Sequence, residues 1–129
     1  MRNIARIVLA VLTIVGIAAA SDISADAAGA MAIGSCNRVG YAYNNPTPAG
    51  AAIRALAECS SNGDGTCKVV VTLRRSCGAF AVAGQGGCGA RGWAYAGSRG
   101  AAENIALKTC RNYGGRNCHI QAWVCDGGP

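Results

Sequence analysis

Residues 98–110, SRGAAENIALKTC, decide the fold of this chain because the same pattern occurs twice. A seven-residue loop follows them and leads to CHIQAWVC at 118–125. An earlier copy runs through TPAGAAIRALAEC at 47–59, another seven-residue loop, and CKVVVTL at 67–73. Each copy predicts a short helix that ends on a cysteine, a loop, and a strand that starts on a cysteine. The chain is therefore predicted to use one structural unit twice.

Both helices have clear start signals. Thr47 and Ser98 are equivalent and can each cap the free amides of the first turn, and Pro48 suits the first helical position. Within each helix, two alanines and a cysteine recur at four-residue spacing, which predicts a narrow, small face for close packing on a sheet. These positions are Ala51, Ala55 and Cys59 in the first copy and Ala102, Ala106 and Cys110 in the second.

Two strand-like segments precede each helix. Residues 29–34 and 78–83 alternate small and large side chains, and residues 38–43 and 91–95 alternate small residues with aromatic ones. In these second segments, the glycines and alanines could supply the small face that the helix packs against.

The predicted fold class is α+β: a small disulfide-stapled domain built from two pseudo-symmetric strand-strand-helix-strand repeats. The first repeat covers about residues 29–76 and the second about residues 77–125. Neither repeat can bury a core alone, so we expect both to pack about a pseudo-two-fold axis into a single duplicated domain over residues 28–129. The pattern leaves open whether the strands form one continuous sheet or two.

Residues 1–27 are predicted to be a signal peptide that is cleaved. A basic start precedes an apolar or small run of 14 residues at 7–20, which is too short to span a bilayer and typical of a secretory signal. Small-x-small cleavage sites end at Ala20 and Ala27. We therefore expect an exported protein, periplasmic or extracellular, with no transmembrane segment in the mature chain.

The eight cysteines all lie beyond this leader, and an even number in a small exported chain predicts a disulfide framework. Roughly a hundred connectivities are open to eight cysteines, but the repeat symmetry favours two pairs within the copies and two pairs between them. The preferred local pairs are Cys59–Cys67 and Cys110–Cys118, and the preferred cross-links are Cys36–Cys88 and Cys77–Cys125. Because the chain has no Cys-x-x-Cys pair and one histidine, we expect no metal site and no cofactor.

The formal net charge is +6 at pH 7. Such an excess of basic residues favours acidic partners and anionic surfaces. The basic residues are scattered, and Arg74 with Arg75 forms their longest run, so the sequence gives nucleic-acid binding little support. An acidic polysaccharide or a protein is the expected partner, and its identity stays open.

The chain resembles the secreted bacterial family catalogued as domain of unknown function 4189. The resemblance rests on the Gly-Ala-x-Ala strands, the Gly-Tyr-Ala-Tyr and Gly-Trp-Ala-Tyr strands that end at Tyr43 and Tyr95, the alanine-rich helices, and the Cys-loop-Cys-Lys-Val-Val-Val pattern. It covers residues 29–125 and implies export, disulfides and an internally duplicated α+β domain, with no catalytic residues to carry over. Cys36 and Cys88 look like additions to the six-cysteine pattern of that family.

The aromatic pairs and their neighbouring arginines are the best candidates for a binding surface. Side chains two apart share a strand face, so each pair can present two rings beside one arginine, which suits a sugar face or an anionic polymer. The alternative, which residue burial statistics favour, is that these rings cover the core. The residues are Arg38, Tyr41 and Tyr43 in the first copy and Arg91, Trp93 and Tyr95 in the second.

The last strand of each copy offers a second candidate surface. If alternate residues of 67–73 face inward from Cys67 onward, then Lys68, Thr72 and Arg74 face outward. The matching residues of the second copy are His119, Trp123 and Cys125. A histidine can transfer protons near neutral pH, but the sequence proposes no partner for His119, and a solvated histidine is the plainer interpretation.

Enzymatic interpretations find little support. The acidic residues beyond the leader do not form a matched pair, as a glycosidase would need. The sequence has no Gly-x-Ser-x-Gly elbow, and an even cysteine count leaves no thiol for a cysteine nucleophile. We therefore assign no catalytic residue. A hydrolase would require a cleft that gathers Glu58 or Glu103 with His119.

The sequence thus predicts an exported, non-enzymatic binding or interaction domain. Its partner could be an acidic envelope polysaccharide, another acidic surface or a protein, and the sequence does not choose among them. A secreted effector or inhibitor that docks on one specific protein is the alternative, and a hydrolase comes third. Specificity is expected first where the copies differ: Lys68 against His119, Thr72 against Trp123, and Tyr41 against Trp93.

Overall fold

The computed structural model describes residues 27–61, 63, 65–84 and 88–128. The predicted leader lies outside the described residues apart from Ala27. In chain order the elements are β1 (Ala28–Ile33), a 3-10 turn (Ser35–Asn37), β2 (Val39–Asn45), α1 (Pro48–Cys59), β3 (Lys68–Arg74), β4 (Cys77–Val82), β5 (Arg91–Ala96), α2 (Arg99–Asn112) and β6 (His119–Cys125). The predicted order of strand, strand, helix and strand therefore occurs twice, and the α+β fold class is confirmed.

The strands form two separate antiparallel sheets, one from each repeat. The first sheet has the order β2-β1-β3 and the second has the order β5-β4-β6. The first strand of each repeat is central in its sheet and wholly buried. This arrangement answers the question that the sequence pattern leaves open between one sheet and two.

The molecule has four layers, with the two sheets face to face and one helix on each outer side. Large side chains fill the space between the sheets, and Phe80, Met31 and Leu73 are the largest that are fully buried there. Small side chains face the helices, such as Ala30 against α1 and Ala79 against α2. The alternation of small and large residues along each central strand therefore distributes its side chains between two different cores.

The prediction that alternate residues from Cys67 onward all face inward is wrong for β3. The register of β3 shifts between its pairs with β1, where Met31 lies opposite Val71 and Ala32 lies opposite Val69. As a result Val69 packs on the α1 side of the sheet, while Val71 packs between the sheets. The predicted inward row of β3 is thus divided between two cores.

The helices start and pack as the sequence predicts. Thr47 Oγ1 accepts a hydrogen bond from the Gly50 amide at 3.0 Å, and Ser98 Oγ accepts one from the Ala101 amide at 3.3 Å. The alanine–cysteine face of each helix is buried against its sheet. On β5, a Cβ added to Gly92 would lie 2.5 Å from backbone atoms of α2, so the helix rests directly on the strand.

The structure contains four disulfides, and they join the same cysteine pairs as the symmetry argument prefers. One bond that was expected to join the two copies does not do so. Cys77 and Cys125 are paired residues of β4 and β6 in the second sheet, so this bond lies within one repeat and does not join the copies. Cys36–Cys88 does join the copies, since it connects the β1–β2 turn to the β4–β5 connection.

Asp126, just after β6, ties the second repeat to the first. The Asn44 amide donates to its backbone carbonyl at 2.7 Å, and the Arg75 amide donates to its Oδ2 at 2.6 Å. Both Asn44 and Arg75 have positive φ, a conformation that non-glycine residues seldom adopt. The segment after β6 therefore closes over the end of β2 and the link between the repeats.

Replacing Gly92 with alanine tests the direct packing of helix on strand. The added methyl group would collide with the Ala106 carbonyl and the Cys110 amide, and overpacking of this kind costs about 2 kcal/mol of unfolding free energy. Gly100→Ala is the matched control, because Gly100 lies in α2 with open space around it and should gain up to about 1 kcal/mol. Denaturant unfolding of the oxidised protein measures both values, and equal stabilities would contradict this packing.

Peptide mapping without reduction tests the disulfide pattern. We expect four cross-linked peptides, corresponding to the four bonds of the structure. A peptide joining Cys59 to Cys110 would contradict both the local bonds and the packing of each helix end on its own sheet.

Candidate binding site

The stacking of the two sheets creates two edges related by the pseudo-two-fold axis. At one edge β3 lies against β5, and at the other β2 lies against β6. The aromatic strands β2 and β5 are edge strands in their sheets. The two predicted aromatic pairs are therefore on opposite edges of the molecule and do not form a single surface.

The edge between β3 and β5 is an open groove, made of two adjoining cavities that share Arg91 and Trp93. One cavity of about 350 Å³ extends from these two residues past Val70 and Lys68 to Thr66. The other, of about 290 Å³, extends from them to Tyr113 at the end of α2. We call these two cavities together the β3–β5 groove.

Arg91 is held in place across this groove. Its Nη1 donates to the Gly34 carbonyl at 2.6 Å, a contact between the two repeats. A guanidinium has five N–H donors, so this single contact leaves donors for a ligand. At the same end, the Ser35 amide donates to Thr66 Oγ1 at 2.9 Å, which fixes the turn that carries the accepting carbonyl.

The aromatic side chains of β5 are exposed. Trp93 is 42% exposed and Tyr95 is 66% exposed, because Gly92 and Ala94 take the face of the strand that packs on α2. The expectation that these rings cover the core is therefore wrong for the second copy. Trp93 lines the same cavity as the cations Arg91 and Lys68, where a flat ligand could stack on its ring.

The aromatic residues of β2 lie in different surroundings. Tyr41 is half-buried and packs against the core between the sheets. Tyr43 is 41% exposed, but Gly128 lies beside its ring, where an added Cβ would be 3.6 Å from the ring edge. Arg38 is half-buried at the start of this strand. The segment after β6 thus partly covers this edge, while the β3–β5 groove stays open.

The predicted outward row of the last strands is only partly outward. Lys68 and His119 are both exposed at equivalent positions, in separate cavities. Trp123, however, faces α2, and the guanidinium carbon of Arg99 lies 3.7 Å from the centroid of its ring. The same arginine donates from Nε to Glu103 Oε1 at 2.6 Å. Trp123 is therefore covered by an ion pair and is not an open binding residue.

The described residues do not assemble the cleft that a hydrolase would require. Glu103 is paired with Arg99 on α2, and Glu58 lies in a cavity of about 450 Å³ with Tyr41, Tyr43 and Arg54. His119 lines a different cavity. Within the described ranges, no three His, Cys, Asp or Glu side chains gather where a metal ion could bind.

Comparison with known families decides the relationship of the chain. The family described as Domain of unknown function (DUF4189) matches residues 28–125, which is nearly the whole of the described fold. The chain belongs to this family. Comparisons with curated proteins and with solved structures found no match.

The DUF4189 domain of this chain thus consists of the four-layer fold itself. The matched range begins at β1 and ends at the last residue of β6, so both repeats and both edges belong to it. None of the helices among the described residues is long and apolar enough to cross a bilayer.

Sequence reasoning missed Tyr113, which is 74% exposed and forms one end of the β3–β5 groove. A usable signal was present, since Tyr113 is equivalent to Asn62 in the first copy and so satisfies the criterion of a difference between copies. Val70 was missed for another reason: it lies where the register of β3 shifts, and simple alternation assigns it to the wrong face.

Fluorescence quenching of two single-tryptophan variants tests the assigned exposures. Trp123→Phe leaves Trp93 in the open groove, and Trp93→Phe leaves Trp123 beneath Arg99. Iodide should quench Trp93 several-fold more strongly, because Trp93 is exposed in the groove whereas Trp123 lies beneath the Arg99–Glu103 ion pair. The uncharged quencher acrylamide should show a smaller difference. Equal iodide quenching of the two variants would contradict the placement of Trp93.

Proposed function

We propose that this protein is an exported, non-catalytic binding domain that holds an acidic polysaccharide of the cell envelope in the β3–β5 groove. The observation that carries the proposal is the exposed Trp93, which lines an open groove together with Arg91 and Lys68. No acidic side chain lines the described part of this groove.

The chemistry of the groove suits a polymer of acidic sugars. An aromatic ring offers a flat apolar surface to a sugar face, and a guanidinium binds carboxylate or sulfate groups through paired N–H donors. At one end of the groove, the Thr66 hydroxyl accepts from the Ser35 amide and donates to Ser35 Oγ at 3.1 Å, which holds this end in shape. The groove is also open along its length, so a chain could enter and leave at both ends.

The disulfides support the proposal that the protein is exported and acts at the cell envelope. Four disulfides in a domain of this size fit an oxidising environment. The basic net charge of +6 would hold such a protein near anionic polymers. The predicted leader supplies the route to this compartment.

Docking on one specific protein is the second candidate, and one surface favours it. Ile53 is 69% exposed on α1, and the neighbouring Leu56 is 37% exposed. An apolar pair on an outer helix face suits a protein partner better than a polysaccharide. Binding through this surface would be insensitive to changes in the β3–β5 groove.

Affinity for immobilised polygalacturonate, with neutral dextran as the reference, tests the proposal. Trp93→Ala should weaken binding roughly tenfold, which corresponds to about 1.4 kcal/mol and is ordinary for an aromatic anchor. Arg91→Gln and Lys68→Gln should each weaken it several-fold and reduce its salt dependence, because each removes a charge that faces the polymer.

Tyr43→Ala is the matched control, because Tyr43 has nearly the same exposed fraction as Trp93 but lies on the opposite edge. It should leave the affinity unchanged. If Tyr43→Ala weakens binding as much as Trp93→Ala does, the groove is not the site. If none of the groove variants changes retention, the protein-docking surface on α1 becomes the better hypothesis, and Ile53→Asp would then abolish capture of the partner.

A further inference from the structure

A second cavity, of about 320 Å³, lies at the opposite edge of the two sheets. Its lining repeats the Lys68 side of the β3–β5 groove position by position, as the strand registers show: Lys68 pairs with Ile33, and His119 pairs with Val82. The corresponding residues are Ile33 and Val82, Gly34 and Ala83, Ser35 and Gly84, Lys68 and His119, and Val70 and Gln121.

Two of these exchanges change the chemistry of the cavity. A permanently charged lysine becomes His119, whose side-chain type gains and loses a proton within the physiological pH range. An apolar valine becomes Gln121, whose Nε2 donates to the Asn37 carbonyl at 2.9 Å. A side-chain amide has a second N–H, so Gln121 can also donate to a ligand.

Gln121 also makes a contact between the repeats that Val70 cannot make. The hydrogen bond between Gln121 and Asn37 connects β6 to the 3-10 turn of the other repeat, whereas Val70 makes no such bridge. The hydrogen-bonded pair of Gln121 and Asn37 therefore forms part of the cavity lining.

We infer that the cavity around His119 is a second anion site, which takes one sulfate or carboxylate group of the acidic polymer when the imidazole is protonated. The inference rests on the proposed function, because it takes its ligand class from the β3–β5 groove. Lys68 fixes the charge of the first site, and His119 makes the charge of the second depend on pH.

The surroundings of His119 support this role. No acidic side chain lines the described part of the cavity, so no carboxylate there compensates a proton on the imidazole. Cys36, which also lines it, is disulfide-bonded and does not titrate. Arg38 directly follows the 3-10 turn, and the backbone carbonyl of Arg116 accepts from the Gly84 amide at 2.9 Å. A protonated His119 would therefore attract an anion with no carboxylate of the described cavity lining to oppose it.

Titration with glucose 6-sulfate, followed by amide NMR, tests the inference. A sulfate ester keeps its charge between pH 5.5 and pH 8, so any pH dependence comes from the protein. The amides of Val82, Ala83 and Gln121 report on the second site, and those of Ile33, Gly34 and Val70 report on the groove. Because a histidine side chain gains a proton as the pH falls, the sulfate should bind the second site more tightly at pH 5.5 than at pH 8.

Two variants separate a charge effect from a structural one. His119→Lys should bind the sulfate at the second site equally at pH 5.5 and pH 8, because lysine stays charged. His119→Gln should lose binding there at both values and leave the groove amides unaffected.

Each outcome decides the inference. If the groove amides shift but the second-site amides do not shift at pH 5.5, the inference is wrong while the proposed function stands. A second site whose affinity is independent of pH in the wild type, or one that His119→Lys fails to maintain at pH 8, also overturns it. If neither set of amides responds, anion binding at the groove fails along with the inference.

Discussion

The fold depends on the contact between the backbone of each helix and a glycine of the neighbouring edge strand. At Gly92 the backbone of α2 occupies the space where a side chain would begin, and at Gly40 the backbone of α1 does the same. This direct contact uses the small face of each edge strand. Because successive side chains of a strand point to opposite faces, the large residues must then lie on the other side of the sheet. Two such sheets cover these large residues only by packing face to face.

The exposure of the candidate site follows from this constraint. In each of these three-stranded sheets the central strand is covered on both faces. Each edge strand lies at the border of the core between the sheets, where its side chains can be exposed. Phe80 on a central strand is fully buried, whereas Trp93, its pairing partner on the edge strand β5, is 42% exposed. The same alternation that builds the core therefore places an aromatic ring at the surface. Its position beside Arg91 and Lys68 makes that surface chemically distinct.

Local signals in the sequence predicted the local features well. The helix caps at Thr47 and Ser98, the alanine–cysteine faces and the repeat order all depend on contacts between residues near one another or on the repeat itself. The number of sheets could not be predicted in this way, because it depends on pairing between distant strands. The shift near Val69 and the cover of Trp123 by Arg99 are likewise products of tertiary packing. Three of the residues singled out from the sequence, Arg91, Trp93 and Lys68, lie together in the β3–β5 groove. No local pattern shows that the two aromatic pairs lie on opposite edges.

The difference between the two edges arises from connectivity as well as from substitution. After β3 the chain continues through Arg75 into β4, whereas the segment after β6 folds back, and Asp126 holds it against Asn44 and Arg75. The segment after β6 therefore covers part of the edge formed by β2 and β6, near Tyr43. Substitution then acts on positions that the packing does not constrain: Lys68 and His119 are exposed, so they can differ without disturbing either core. A duplicated domain can in this way keep one framework and still present two surfaces of different charge and accessibility.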